Sequence, residues 1–201
     1  MLSKGVTIGL ITLPLLLNGC GSGEADHVTD QQQTAPQQAS QEEAIYKITN
    51  EAAGPVQLGM SSAEILSSFP NVTAKTEKDG EGITWMTLSL KGENLMSVLL
   101  DEYDHTAVLV RVVSSKFVTE QGVRVGENLH SAGEKLGGLT EIQWTEMESR
   151  EFASFANGSK NIDFQVAAAD GTAGVYNDNE TITTVIAPKA YIHSIWLTED
   201  I

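Results

Sequence analysis

The chain has 201 residues and a formal net charge of −15, from 12 Lys and Arg against 27 Asp and Glu. That length allows one domain or two small ones, and 41% hydrophobic residues with 19% charged residues excludes a chain disordered throughout. So acidic a chain is a poor ligand for phosphate backbones, which argues against nucleic acid as a partner, and an anionic bilayer repels it, so membrane attachment has to be covalent or very local.

In chain order, Lys4 precedes a mostly apolar run from Gly5 to Leu17. The run is shorter than the roughly 20 residues needed to span a bilayer, and behind a basic start it reads as a secretory signal. Leu17-Asn18-Gly19-Cys20 follows, and Cys20 is the only cysteine. An intramolecular disulfide is therefore excluded. The four residues resemble the lipobox of bacterial lipoproteins. The resemblance implies cleavage after residue 19, a diacylglycerol thioether on Cys20 and an acyl (palmitate) chain on its amine. Gly21 rather than Asp after the cysteine implies, by the same resemblance, sorting to the outer membrane in an enteric bacterium, or the outer face of the plasma membrane in a Gram-positive host. Each buried CH₂ contributes about 0.8 kcal/mol, so several chains anchor nearly permanently.

Gly21 to Glu43 has almost no aliphatic residues and carries six glutamines. It cannot bury enough apolar surface to order itself and reads, as residues 20–43 with the lipidated cysteine, as a tether of about 26 Å r.m.s. reach. Residues 44–201 form the expected folded domain. Its apolar runs are short and β-branched: Ala44–Thr49, Ile83–Leu90, Leu95–Leu100, Ala107–Val113, Ile142–Thr145, Glu151–Ala156, Ile162–Ala168, Ile182–Ala187 and Tyr191–Leu197. These are strand signals, with hairpin turns at Lys91-Gly92 and Asn157-Gly158. Only Ser61–Phe69 and Asn128–Leu136 read as helices. Ser61 and Glu64 make a capping box and Pro70 stops the first; Asn128 caps the second and Gly137-Gly138 ends it.

Val56-Gln57-Leu58-Gly59 matches Val123-Arg124-Val125-Gly126 at an offset of 67, which also aligns Ser61 with Asn128 and Trp85 with Phe152. The last strands, Ala107–Ser115 and Ala190–Thr198, align at an offset of 83, which places a 16-residue insertion within Ala169–Lys189. The expected fold is α+β and mostly β: two tandem units, about 54–115 and 121–198, each a short helix packed on antiparallel strands. Gly59 and Gly126 fall where a strand must turn sharply into a capped helix, and are read as structural turn glycines.

Gly54-Pro55-Val56-Gln57-Leu58-Gly59-Met60-Ser61, the joining stretch Val110-Arg111-Val112 to Gly126, and Ile192-x-Ser194-Ile195-Trp196 resemble a family of enterobacterial envelope lipoproteins of the sigma-E stress regulon. The likeness covers about residues 46–197. The Gly-Met-Ser helix start is also similar to that of small lipoproteins of the outer-membrane-protein assembly machine and of tandem-repeat inhibitors of β-lactamase. Those families use helix-on-sheet units as binding surfaces.

Catalytic patterns are sparse. Ser61 lies in Gly59-Met60-Ser61-Ser62-Ala63, which lacks the last glycine of a nucleophile elbow and is better read as a cap. Paired zinc spacings do not occur. His105 sits in an acidic turn between strands. Asp170, Thr172 and Asp178 give a weak oxygen-ligand pattern, but Val175 and Thr181 stand where a calcium loop has Gly and Glu, so the insertion reads as a mobile surface loop. Trp85, Trp144 and Trp196 are assigned to core packing.

The sequence therefore leads us to expect a lipid-anchored, non-enzymatic envelope lipoprotein at the outer membrane, without cofactor or metal. Its expected partners are the covalent lipid on Cys20, the membrane through that anchor, and another envelope protein. The alternatives are an inhibitor of a secreted or periplasmic enzyme, or an envelope assembly or stress-response factor.

Overall fold

The computed structural model describes residues 45–80, 82–147 and 149–199. The signal segment, Cys20 and the tether lie outside the described residues. Fifteen elements are described. The strands are β1 (Lys47–Ile48), β2 (Ala52–Ala53), β3 (Val56–Gln57), β4 (Val72–Lys78), β5 (Thr84–Leu90), β6 (Glu93–Leu100), β7 (Ala107–Val112), β8 (Val118–Thr119), β9 (Leu139–Thr145), β10 (Arg150–Phe155), β11 (Ile162–Ala167), β12 (Ile182–Thr183) and β13 (Tyr191–Thr198); the helices are α1 (Ser62–Ser68) and α2 (Leu129–Lys135). The class is α+β and mostly β.

Nine strands form one sheet in the order β12-β9-β10-β11-β13-β7-β6-β5-β4, antiparallel throughout. Four short strands form a second sheet, β3-β2-β1-β8, in which β1 and β8 run parallel. The expectation of antiparallel strands alone is corrected there: β8 is separated from β1 by a whole set of strands, a separation that permits a parallel return.

Both helices begin and end within a residue of the expected limits. The Ser61 N–H donates to Glu64 Oε2 at 2.8 Å and the Glu64 N–H to Ser61 Oγ at 3.4 Å, so Ser61 is a cap. Asn128 Oδ1 accepts the His130 N–H at 3.0 Å. Each helix has one apolar side, Ile65 with Phe69 and Leu129 with Leu136, laid on the same face of the large sheet. That face supplies Met86, Leu88, Met96, Val98, Val110, Val112, Phe164, Ile195 and Leu197, all buried.

Several strand limits differ from expectation. Ala44–Thr49 forms a strand only over β1, and Ile182–Ala187 only over β12, beyond which Ile186 makes an isolated bridge with Gly174. β4 was not expected. Apart from Val72 it is exposed along its length, with Lys75 and Glu77 ion-paired, so it carries no apolar run; its seven residues are held by β5 alone. Charges on an outer strand discourage pairing with other chains. The 169–189 segment is not a loose loop. Glu151 is 4% exposed, and its carboxyl accepts the Ala173 N–H at 2.5 Å, the Gly174 N–H at 2.8 Å and the Tyr176 hydroxyl at 2.8 Å. β12 then covers the outer edge of β9, and the backbone N–H of Trp144 donates to Thr181 O at 2.7 Å.

Gly59 and Gly126 have φ of +81° and +84°. The Gly59 N–H donates to Ala107 O and the Gly126 N–H to Ile192 O, both at 2.8 Å, so each ties a helix start to the beginning of β7 or β13. A Cβ at either position meets nothing within 4 Å, so only the backbone conformation penalises a side chain. Gly59→Val and Gly126→Val should each destabilise the domain by about 1–3 kcal/mol in urea melts. Glu151→Ala leaves two buried N–H groups without an acceptor. It should cost about 2–4 kcal/mol and make the 169–189 segment the first site of limited proteolysis.

Candidate functional site

The face of the nine-stranded sheet opposite the helices carries a second set of packed side chains. Residues directly opposite one another in a ladder share a face. Register therefore puts Arg111 beside Ser97 on β6 and beside Trp196 on β13, and Trp196 beside Asp163 on β11. Trp85, Phe152 and Thr87 lie on the same side. Ser97 and Ser194 are small and buried, which lets the large side chains lie flat over them.

The geometry is that of stacked cations. The Arg111 guanidinium carbon is 4.8 Å from the Trp85 ring centroid and 5.7 Å from that of Trp196; that of Arg150 is 5.5 Å from Trp196. Trp85 and Trp196 meet edge to face at 6.3 Å, and Phe152 meets Trp196 at 5.4 Å. Such contacts contribute about 0.5–2 kcal/mol each. The indole N–H groups are both satisfied. Trp85 donates to Asp79 Oδ2 at 2.8 Å, and Trp196 to Ser194 Oγ at 2.6 Å, which in turn donates to Gln165 Oε1 at 2.7 Å. Arg111 Nε is buried with no hydrogen-bond partner. Burial, then repulsion from Arg150, lowers the Arg111 pKa, and burial raises that of Asp163. Beside Trp196 lies an open cavity of about 560 Å³, bordered by Leu109, Gln143, Phe152, Asp163 and the almost fully exposed Met147.

Of the residues singled out in the sequence, Trp85 and Trp196 come together here, at 6% and 8% exposure, against each other and two arginines rather than in the helix-side core. Trp144 lies on the opposite face, opposite Glu151 in the ladder. The acidic turn at His105 spends its carboxylates on its own backbone: Asp101 Oδ1 accepts the Tyr103 and Asp104 N–H groups at 2.7 and 3.2 Å, and Asp104 Oδ1 accepts from Thr106. Ser61, Asn128, Gly59 and Gly126 serve the helix starts. Asp170 and Asp178 are exposed. Among the described residues no three His, Cys, Asp or Glu converge on a metal-sized position, and no helix is long and apolar enough to cross a membrane. Sequence reasoning did not single out Arg111 and Arg150 as a pair. The available signal was Arg111 itself, a cation at the centre of the apolar run Ala107–Val113.

No family model matches the chain and no curated protein matches it. Among solved structures it is similar to that of the uncharacterized protein yfeY from Escherichia coli, at 12% identity and a TM-score of 0.55, covering 76% of this chain and 99% of that one. The likeness shows a shared fold.

His193 sits at a bulge in β13 beside this cluster. Partial burial, then the charges of Arg111 and Arg150, hold its imidazole below the ordinary histidine range. A histidine lowered in the folded state binds fewer protons than in the unfolded chain, so its contribution favours folding as pH rises across that range and is lost as pH falls. The His193 ring resonance should therefore titrate below the ordinary histidine range by NMR, and Arg111→Met should move it back up.

Proposed function

We propose that the protein is a lipid-anchored cell-envelope protein, held at the outer membrane by acyl chains on Cys20, whose tethered domain binds a partner or ligand rather than catalysing a reaction. The observation that carries this reading is the Trp–Arg layer beside its open cavity. Stacked guanidinium groups and indoles at a shallow surface recognise shape and charge. The Leu17-Asn18-Gly19-Cys20 segment supports the anchor, and the acidic domain is itself repelled by anionic lipid, which suits a tether that holds it clear of the surface.

The finer architecture belongs to the same reading: two tandem units, about 54–115 and 121–198. What supports it is the mirrored strand order, in which β7-β6-β5-β4 runs outward on one side of the β7–β13 junction and β13-β11-β10-β9 on the other. The matching bonds from Gly59 to Ala107 and from Gly126 to Ile192 also support it. Alone, each unit would have one short helix to cover its strands; together they share a core.

Cys20→Ser tests the anchor. The protein with Cys20 intact should enter the detergent phase on Triton X-114 partitioning, and the variant should remain in the aqueous phase or unprocessed. Partitioning unchanged by the substitution would overturn the assignment.

A further inference from the structure

We propose that β4 is a self-complementary edge, along which two copies of this chain join antiparallel about a twofold axis at Thr76 and merge their large sheets into one. The surface is a strand edge, and the partner is a second copy of the same domain.

Three observations converge. The first is that the edge is open. Among the described residues β4 pairs with β5 alone, whereas the other end of the sheet finishes on the two-residue β12. Every residue from Thr73 to Lys78 is exposed, so a second strand can approach. The second is the direction of the backbone groups. The Asp79 N–H donates to Ile83 O at 3.0 Å, and the pairing with β5 continues in unbroken register from Lys78–Thr84 to Val72–Leu90. Hydrogen-bonded pairs alternate along an antiparallel ladder, so Glu77, Lys75 and Thr73 turn their N–H and C=O groups to β5, while Lys78, Thr76 and Ala74 turn theirs outward. A second copy centred on Thr76 sets Thr76 against Thr76 and Ala74 against Lys78, so that the outward groups exchange about six hydrogen bonds.

The third observation is charge. With that centre Lys75 falls opposite Glu77 of the second copy, and Glu77 opposite its Lys75. These are the non-hydrogen-bonded pairs, in which side chains come closest. Lys75 and Glu77 are already ion-paired within the strand, so the dimer closes a ring of four alternating charges. Moving the centre by one residue sets Lys75 against Lys75 or Glu77 against Glu77, and like charges directly opposite are unfavourable. An unrelated strand meets these charges unmatched. The residues that discourage pairing with other chains therefore select a copy of the same strand, in one register. β4 also carries two Lys and one Glu in a chain of net charge −15, so contact at this edge avoids the surplus of acid elsewhere. Repulsion between the remaining surfaces is screened beyond about 8 Å at physiological salt.

The test is sedimentation of the full chain in mild detergent at physiological salt, from about 10 μM to about 1 mM, a range that reaches the affinity of a weak interface. A monomer–dimer equilibrium is expected. Lys75→Glu and Glu77→Lys should each weaken it at least tenfold. The two variants mixed should associate with each other, and the chain carrying both substitutions should regain most of the dimer. Thr76→Pro removes an outward N–H that β5 does not use, and should abolish the dimer with the near-UV circular dichroism intact. Two chains that only share a micelle respond to none of these changes, so a dimer unaltered by Lys75→Glu overturns the proposal. So does a chain that stays monomeric up to about 1 mM. If the variants do not fold, the unsubstituted protein decides by hydrogen exchange. The Ala74, Thr76 and Lys78 amides should exchange more slowly as concentration rises, and exchange independent of concentration overturns the proposal. Association is read at β4 and anchoring at Cys20, so the two fail separately.

Discussion

The pairing of β7 with β13 is the contact on which the rest of the molecule depends. On the helix side it sets Val110 against Leu197 and Val112 against Ile195, all without solvent exposure, and these four occupy the middle of the core. Burying aliphatic side chains of this size contributes about 1.5–3 kcal/mol each before entropy is counted. On the other side the same ladder sets Arg111 beside Trp196. A one-residue slip at this junction would exchange the two faces, exposing the valines and placing a guanidinium in the core. The register of the core and the assembly of the Trp–Arg cluster are therefore a single constraint.

The helix starts reinforce that junction. Gly59 bonds to the first residue of β7 and Gly126 to the second of β13, so each helix is fixed to a strand at the seam rather than at the rim. The rims are handled differently. β4 is left open with charges along it, while β9 is covered by β12, which the 169–189 segment delivers and Glu151 holds in place. A buried carboxyl is costly unless its hydrogen bonds are met. Here two backbone N–H groups and the Tyr176 hydroxyl meet them, and burial together with the hydrogen bond to Glu151 pushes the Tyr176 pKa well up. The effect is to make an inserted segment part of the fold.

This arrangement explains why the second face is packed rather than merely polar. A nine-stranded sheet covered on one side leaves a wide area to solvent. Two buried serines, two indoles and two arginines set over those indole rings close its centre.

Local signals were legible in the sequence. Ser61 with Glu64, Asn128, Pro70 and Gly137-Gly138 placed both helices, because caps and breakers act within four residues along the chain. Alternating β-branched runs located most strands of the large sheet. β4 escaped because Val72–Lys78 is polar on both sides, as an open edge allows. β2 and β8 escaped because two-residue ladders leave no period to detect. Glu151 reads locally as a surface position in a strand, and nothing nearby announces that residues more than twenty positions later will bury it. Arg111, Arg150, Trp85 and Trp196 come from four strands far apart in sequence. Their meeting is set by ladder register and by the small size of Ser97 and Ser194, which are properties of the assembled sheet. By itself the sequence determined the composition, the helix limits and the identity of most strands of the large sheet, since each rests on neighbouring residues. Only the tertiary structure decided which cations and aromatics share a face, because side chains on separate strands meet only once the core has chosen a register.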